Sequence, residues 1–193
     1  EVISGLKGTI YYSPLESLRQ KGQAVLPACE TAVDMLYFKT VWKIKEKYLS
    51  GQEKKDLTQC FGTRMDMLNL QWICRAKKYY HLPEGEIYAM IIPISLHLKK
   101  TEIRAMAQAE DVEQVYALIR NSWYGRLDLG NLEKGQSLEE PCREVIDRIY
   151  ELTSRKEPYS ASVLNSYLYF KEREIEKIIT TIERIRYGVA AGI

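Results

Sequence analysis

Apolar residues recur at three- and four-residue steps along almost the whole chain. Nowhere do apolar and polar positions alternate in the manner of a strand over a useful length, so the pattern predicts an all-α protein. The clearest stripe is near the end, where Leu164, Leu168, Ile175, Ile178, Ile179, Ile182 and Ile185 fall along one side of a helix running through NSYLYFKEREIEKIITTIERIRYG, residues 165–188. The rest of that helix is charged, with opposite signs three residues apart: Lys171 with Glu174, Arg173 with Glu176, Glu174 with Lys177 and Glu183 with Arg186. Each such pair adds a few tenths of a kcal/mol on an exposed face. Burying one isoleucine contributes roughly 1.5–3 kcal/mol. The stripe is therefore expected to be covered by something packed on it, making this a docking helix that stops at Gly188.

Upstream, Ser13-Pro14-Leu15-Glu16 reads as a capping box opening a short helix that ends at Gly22. Pro27 opens a long helix to about Leu49, with Leu26, Cys29, Val33, Leu36, Thr40, Ile44 and Tyr48 on one face, and SGQEKKD, residues 50–56, reads as a polar loop. A third long helix is expected from about Leu57 to Tyr80, with Leu57, Phe61, Leu68, Trp72, Ala76 and Tyr79 on one side, ended by His81-Leu82-Pro83. A short helix from Glu84 to Ile92 is broken by Pro93, and another follows to about Ala109. Asp111 can cap the next, which carries Val112, Val115, Tyr116, Ile119 and Trp123. The segment GRLDLGNLEKGQ reads as a loop. Ser137-Leu138-Glu139-Glu140 forms a second capping box for a helix to about Arg155, and Pro158 precedes the docking helix.

The chain also matches itself. A shift of 113 aligns CETAVDMLY, from Cys29, with CREVIDRIY, from Cys142, and pairs Thr9 with Ser122 and Tyr11 with Tyr124; a shift of 108 aligns the third helix with the last, pairing Asp66 with Glu174, Leu70 with Ile178 and Tyr79 with Tyr187. The expected organisation is therefore about two copies of one helical bundle unit, the first over residues 1–125 and a second, incomplete one over 126–193 that ends in the docking helix.

Composition narrows the functions available. Lysine and arginine number 28 against 26 acidic residues, a net charge of +2, with the signs interspersed along helical faces as on an ordinary soluble surface. No apolar run approaches the roughly 18 residues a membrane span needs, so any membrane role is peripheral. The chain opens on Glu1 with neither an initiator Met nor a signal-peptide pattern, so a fragment of a longer protein is expected. At 193 residues it can still bury a core. Cys29, Cys60, Cys74 and Cys142 sit on apolar helical positions without a C-x-x-C spacing, which reads as reduced, buried thiols.

Chemistry is sparse. No phosphate-binding glycine motif and no H-E-x-x-H is present, and His81 and His97 stand sixteen residues apart. Glu172 with Glu174, or Glu139 with Glu140, is the kind of acid pair a hydrolase uses. Their arginine and lysine neighbours instead point to solvated ion pairs. RAKKYY, from Arg75 to Tyr80, is the one compact basic cluster with adjacent aromatics; Arg75, Lys78 and Tyr79 share a helical face, and with Lys77 they are the candidate partner-binding residues. A solvated helix end explains the cluster as simply, while contact with nucleic acid or another anionic surface is the alternative use. No cofactor or metal site is expected.

Several stretches together resemble a known family. LKGTIYY-x-PL, the helix from Glu30 to Trp42, Asp66 to Asn69 followed by ICRAKKYYHLPEGEI, the Ile-Ile-Pro ending at Pro93, and KEREIEKI followed by IERIRYG are similar, in order, to the middle and carboxy-terminal parts of the C-subunit family of V/A-type ATPases and ATP synthases, which includes the d-subunit of the eukaryotic V-ATPase. The chain departs from that pattern at Lys177, where the family tends to have Asn, and at Ile94-Ser95-Leu96, where it has a glycine-containing turn. The resemblance implies a non-catalytic rotor component built of repeated helical units. It would sit on the cytoplasmic side of the membrane, peripheral to it, with the central shaft and the proteolipid ring as partners and no nucleic acid.

Overall fold

The computed structural model describes residues 2–127, 129 and 137–188. Their secondary structure is helical, with no strand among the described residues. In order come α1 (Val2–Gly5), α2 (Tyr12–Gln20), α3 (Leu26–Tyr48), α4 (Gly51–Arg75), a π-helical turn (Ala76–Tyr80), α5 (Glu84–Met90), α6 (Lys100–Gln108), α7 (Val112–Asn121), a 3-10 turn (Trp123–Arg126), α8 (Glu139–Ser154) and α9 (Ala161–Arg186). The boundary expected at residues 126–136 lies largely outside the described residues.

Helix α4 is the axis, packed by α3, α5, α7, α8 and α9. It starts at Gly51 rather than Leu57, so the stretch read as a loop is helical. The left-handed φ of Gly51, 58°, turns the chain immediately after α3, and the charges that follow are taken up by neighbouring helices. Lys54 pairs with Glu46 at 2.6 Å, buried Asp56 accepts from Lys156 at 2.9 Å, and Glu53 accepts from the Ala161 amide at 3.1 Å. Farther along, Cys60, Met67, Leu70, Ile73 and Cys74 are buried, while the expected stripe residues Phe61, Leu68 and Trp72 are half-buried. Trp72 meets Phe38 of α3 edge-on at 6.4 Å. A helix enclosed on most sides has no single stripe to read.

Neither expected capping box forms. The turn at Leu6–Thr9, where the Thr9 hydroxyl donates to the Leu6 carbonyl at 2.8 Å, leads into α2 at Tyr12 and leaves Ser13 inside the helix. At α8 the N-cap is Leu138, and the Ser137 hydroxyl accepts only the Glu139 amide, at 3.3 Å. Asp111 does cap α7, accepting the Gln114 amide at 2.8 Å, and Gly188 follows α9 with φ 64°.

Residues 91–99 are not helical, and two polar side chains of α4 account for it. Asn69 accepts the Ile92 amide at 2.8 Å and donates to its carbonyl at 3.1 Å. The Asp66 carboxylate accepts the amides of Leu96, His97 and Leu98 at 2.8–3.2 Å, and the Tyr124 hydroxyl at 2.8 Å. Gly62 makes room for this segment: a Cβ there would lie 2.8 Å from the Leu96 Cβ. Burial pushes the Asp66 carboxyl above its ordinary value, and the four donors pull it part of the way back. Around this contact lies the main core, formed by Leu70, Ile73, Ile87, Met106, Val115, Ile119, Tyr124 and Cys142.

Helix α9 corrects the expectation built on its stripe. It rests on the body through Ser162, Ser166, Tyr169 and Arg173. The Ser166 hydroxyl donates to the Tyr150 carbonyl at 2.9 Å, the Tyr169 ring stacks on Tyr150 at 4.1 Å, its hydroxyl donates to Asp147 at 2.7 Å, and Arg173 ion-pairs with Asp147. The seven stripe residues lie off that contact side and stay 50–76% exposed, with Leu168 and Ile175 along the edge next to α3. Periodicity identifies an apolar side of a helix, but not which side the rest of its own chain covers.

Replacing Asp66 by alanine strands three backbone amides and a hydroxyl, each costing about 1–3 kcal/mol. Asp66→Ala is expected to lower stability by at least about 3 kcal/mol, and Asp66→Asn, which keeps one acceptor, by less. Urea midpoints at unchanged slope measure both.

Candidate partner-binding surfaces

The basic cluster sits where α4 gives way to the π turn. Closing AKKYY by a hydrogen bond from the His81 backbone N–H to the Ala76 carbonyl adds a residue to the last turn, and His81, at φ 49°, then stops the helix. Tyr79 and Tyr80 are left exposed while Lys77 and Lys78 are half-buried. Arg75 ion-pairs with Glu139 at the start of α8, and the Lys78 ammonium lies 5.4 Å from the centre of the Tyr79 ring. Arg75, Lys78 and Tyr79 line one shallow dent with Tyr116 and Leu138, about 30 Å³ in volume and so with room for only a few waters; Lys77 is not among its lining residues.

The other candidate groups are structural. His97 stacks on Trp123 with ring centres 3.6 Å apart, and burial lowers its pKa. Glu174 pairs with Lys171 at 2.6 Å, and that hydrogen bond holds its carboxyl below the ordinary range. Glu172 lies 3.6 Å from Arg64, and Glu140 2.7 Å from Arg143, all on the surface. No three His, Cys, Asp or Glu side chains among the described residues are grouped to hold a metal.

Periodicity alone does not locate the larger open surfaces. In α3 only Lys45 is buried, its ammonium 2.6 Å from the Thr58 hydroxyl and 3.5 Å above the Trp42 ring. Leu26, Tyr37, Ile44 and Tyr48 remain exposed. Two apolar grooves border this helix. One lies against α5, between Val25, Met35, Leu82 and Met90. The other runs between α3 and α9, lined by Tyr37, Val41, Phe61, Leu168 and Ile175, with Arg64 among them. A residue spacing shows that a face is apolar; only the packed structure shows that it is left open.

Fold and surface thus define an all-helical scaffold with uncovered apolar faces, and no described helix is long and apolar enough to cross a membrane. The chain belongs to the ATP synthase (C/AC39) subunit family, which it matches over residues 1–192. It is 27% identical over 197 residues to the A-type ATP synthase C-subunit of Pyrococcus abyssi, covering 98% of this chain and 51% of that one. Against the corresponding A-type ATP synthase C-subunits of Methanobrevibacter smithii and Pyrococcus furiosus the identities are 24% and 26%, covering 95% and 96% of this chain and 50% of each relative. The chain spans about half the length of the curated relatives it matches.

The cysteines are free, and burial pushes the thiols of Cys60 to about 11, Cys142 to about 12 and Cys74 higher still, while Cys29 is half-buried. At pH 8 an aromatic disulfide reagent is expected to label one thiol per folded chain, Cys29, and all four in urea. Rapid labelling of more than one in the folded state would contradict this packing.

Proposed function

We propose that this chain is part of a non-catalytic central-stalk subunit of a V/A-type ATPase or ATP synthase. In that role it links the rotating shaft to the membrane proteolipid ring and couples ATP turnover to proton or sodium transport. The observation that carries the reading is a member of this family whose α4-centred core is closed while α3 and α9 hold apolar faces open. Transmitting torque calls for a densely packed body that resists deformation and for broad surfaces that bind neighbouring subunits. The protein lies on the cytoplasmic face, peripheral to the membrane, and needs no cofactor. The corner of Arg75, Lys77, Lys78 and Tyr79 is one partner-facing element, and the two apolar grooves beside α3 are further ones.

The alternative, a module binding nucleic acid or an anionic surface through residues 75–80, draws less support. Arg75 is already engaged by Glu139, and the net charge is only +2.

The full-length protein is expected to co-purify with shaft and proteolipid-ring subunits and to hydrolyse no ATP by itself. Reversing the charge at Lys77 and Lys78 together is expected to weaken that capture about tenfold, with thermal unfolding unchanged. Failure of the full-length protein to retain either partner would overturn the assignment. Capture of nucleic acid with a steep salt dependence, lost in the charge-reversed variant, would favour the alternative.

A further inference from the structure

Where the chain passes from α5 to α6 it shapes a small pocket that neither the core nor the functional reading uses. Tyr88 of α5, Ile91, Ile92 and Ser95 of the connecting segment, and Lys100 and Ile103 of α6 line a space of about 250 Å³. The connecting segment cannot fold into that space as a free loop would. Asn69 holds both backbone groups of Ile92, and Asp66 accepts the amides of Leu96, His97 and Leu98. A pocket whose wall is already fixed spares a ligand the cost of ordering it.

The floor and the mouth differ in character. Ile92 and Ile103, at the floor, are buried. At the mouth stand the Lys100 ammonium and the hydroxyls of Ser95 and Tyr88, and no hydrogen bond or ion pair among the described residues engages these three side chains. The neighbouring acids are committed elsewhere: Glu102 accepts the Lys99 amide at 2.7 Å, while Glu84 accepts from Gln108 at 3.1 Å and lies 3.9 Å from Arg104. Lys100 is therefore left without a counter-charge. An apolar floor with a few polar groups at its mouth is the usual make of a small-molecule site. The sign of the charge selects the head group, because an ammonium flanked by two hydroxyls matches a carboxylate and opposes an amine. The volume selects the body: at roughly 30 Å³ for each water-sized group, the space holds about eight non-hydrogen atoms.

We propose that this pocket binds a small monocarboxylate, its apolar body of about six to eight carbons resting on Ile92 and Ile103 and its carboxylate meeting Lys100, Ser95 and Tyr88. The inference rests on the pocket and not on the stalk reading above. Octanoate is the probe, titrated into the 193-residue chain and followed by amide NMR shifts. Saturable shifts are expected within residues 88–103, half-complete at about 1 mM or below, as suits a ligand of about ten non-hydrogen atoms. Octylammonium, with the opposite charge, and acetate, without the body, should each bind at least about tenfold more weakly. Lys100→Gln, at an exposed position, should leave thermal unfolding unchanged and weaken octanoate about tenfold, with octanol unaffected. The absence of saturable shifts up to about 10 mM octanoate, octylammonium binding as well as octanoate, or an unchanged affinity in Lys100→Gln overturns the proposal. So does saturation that maps to the grooves beside α3 instead.

Discussion

One buried carboxylate sets the shape of the central body. Asp66 projects from α4, forms no ion pair among the described residues, and is satisfied by three successive backbone amides and a tyrosine hydroxyl. Those amides belong to a stretch that Pro93 has already diverted from helix, so they need an acceptor from elsewhere, and Asp66 is that acceptor. One turn along, Asn69 takes both the amide and the carbonyl of Ile92, as a neighbouring strand would. Tyr124 carries the same contact to the turn after α7. A single helix thus fixes α5, α6 and α7 through side chains standing in for secondary structure.

The consequence is a division between a closed interior and open flanks. Around α4 the side chains are buried and their polar atoms mostly paired, a body with little freedom to deform. At the flanks, α3 buries only a lysine, and α9 turns its isoleucines outward. Both flanking helices carry apolar sequence enough for a core, and the described residues leave it open. The proposed stalk role calls for this arrangement, stiff through the middle and adhesive at the sides.

Much of this is legible in the residues. The all-α class, the break at Pro93, the cap at Asp111 and the grouping of Arg75, Lys78 and Tyr79 all follow from local rules, because each depends on neighbours within one or two turns. What escapes those rules is non-local. GQEKKD is helical because Lys156, Ala161 and Glu46 receive its charges, and the first two of these partners lie 100 and 108 residues farther along the chain. Arg75 meets Glu139 across sixty-four residues. The serines and the tyrosine that seat α9 look like a polar side, and its isoleucines like a core side, yet the body holds the former. Asp66 and Asn69 stand out in the sequence through the resemblance, as part of a shared stretch, and Asp66 also through the internal match to Glu174; the hydrogen bonds to residues 92–98 supply the physical reason they stand where they do.

Amide hydrogen exchange tests that central contact most directly. If Asp66 and Asn69 hold the 91–98 segment as tightly as described, the amides of Ile92, Leu96, His97 and Leu98 exchange as slowly as those in the middle of α4, opening only when the whole body unfolds. Exchange of these four at the rate of an exposed loop, with α4 still protected, would contradict the account.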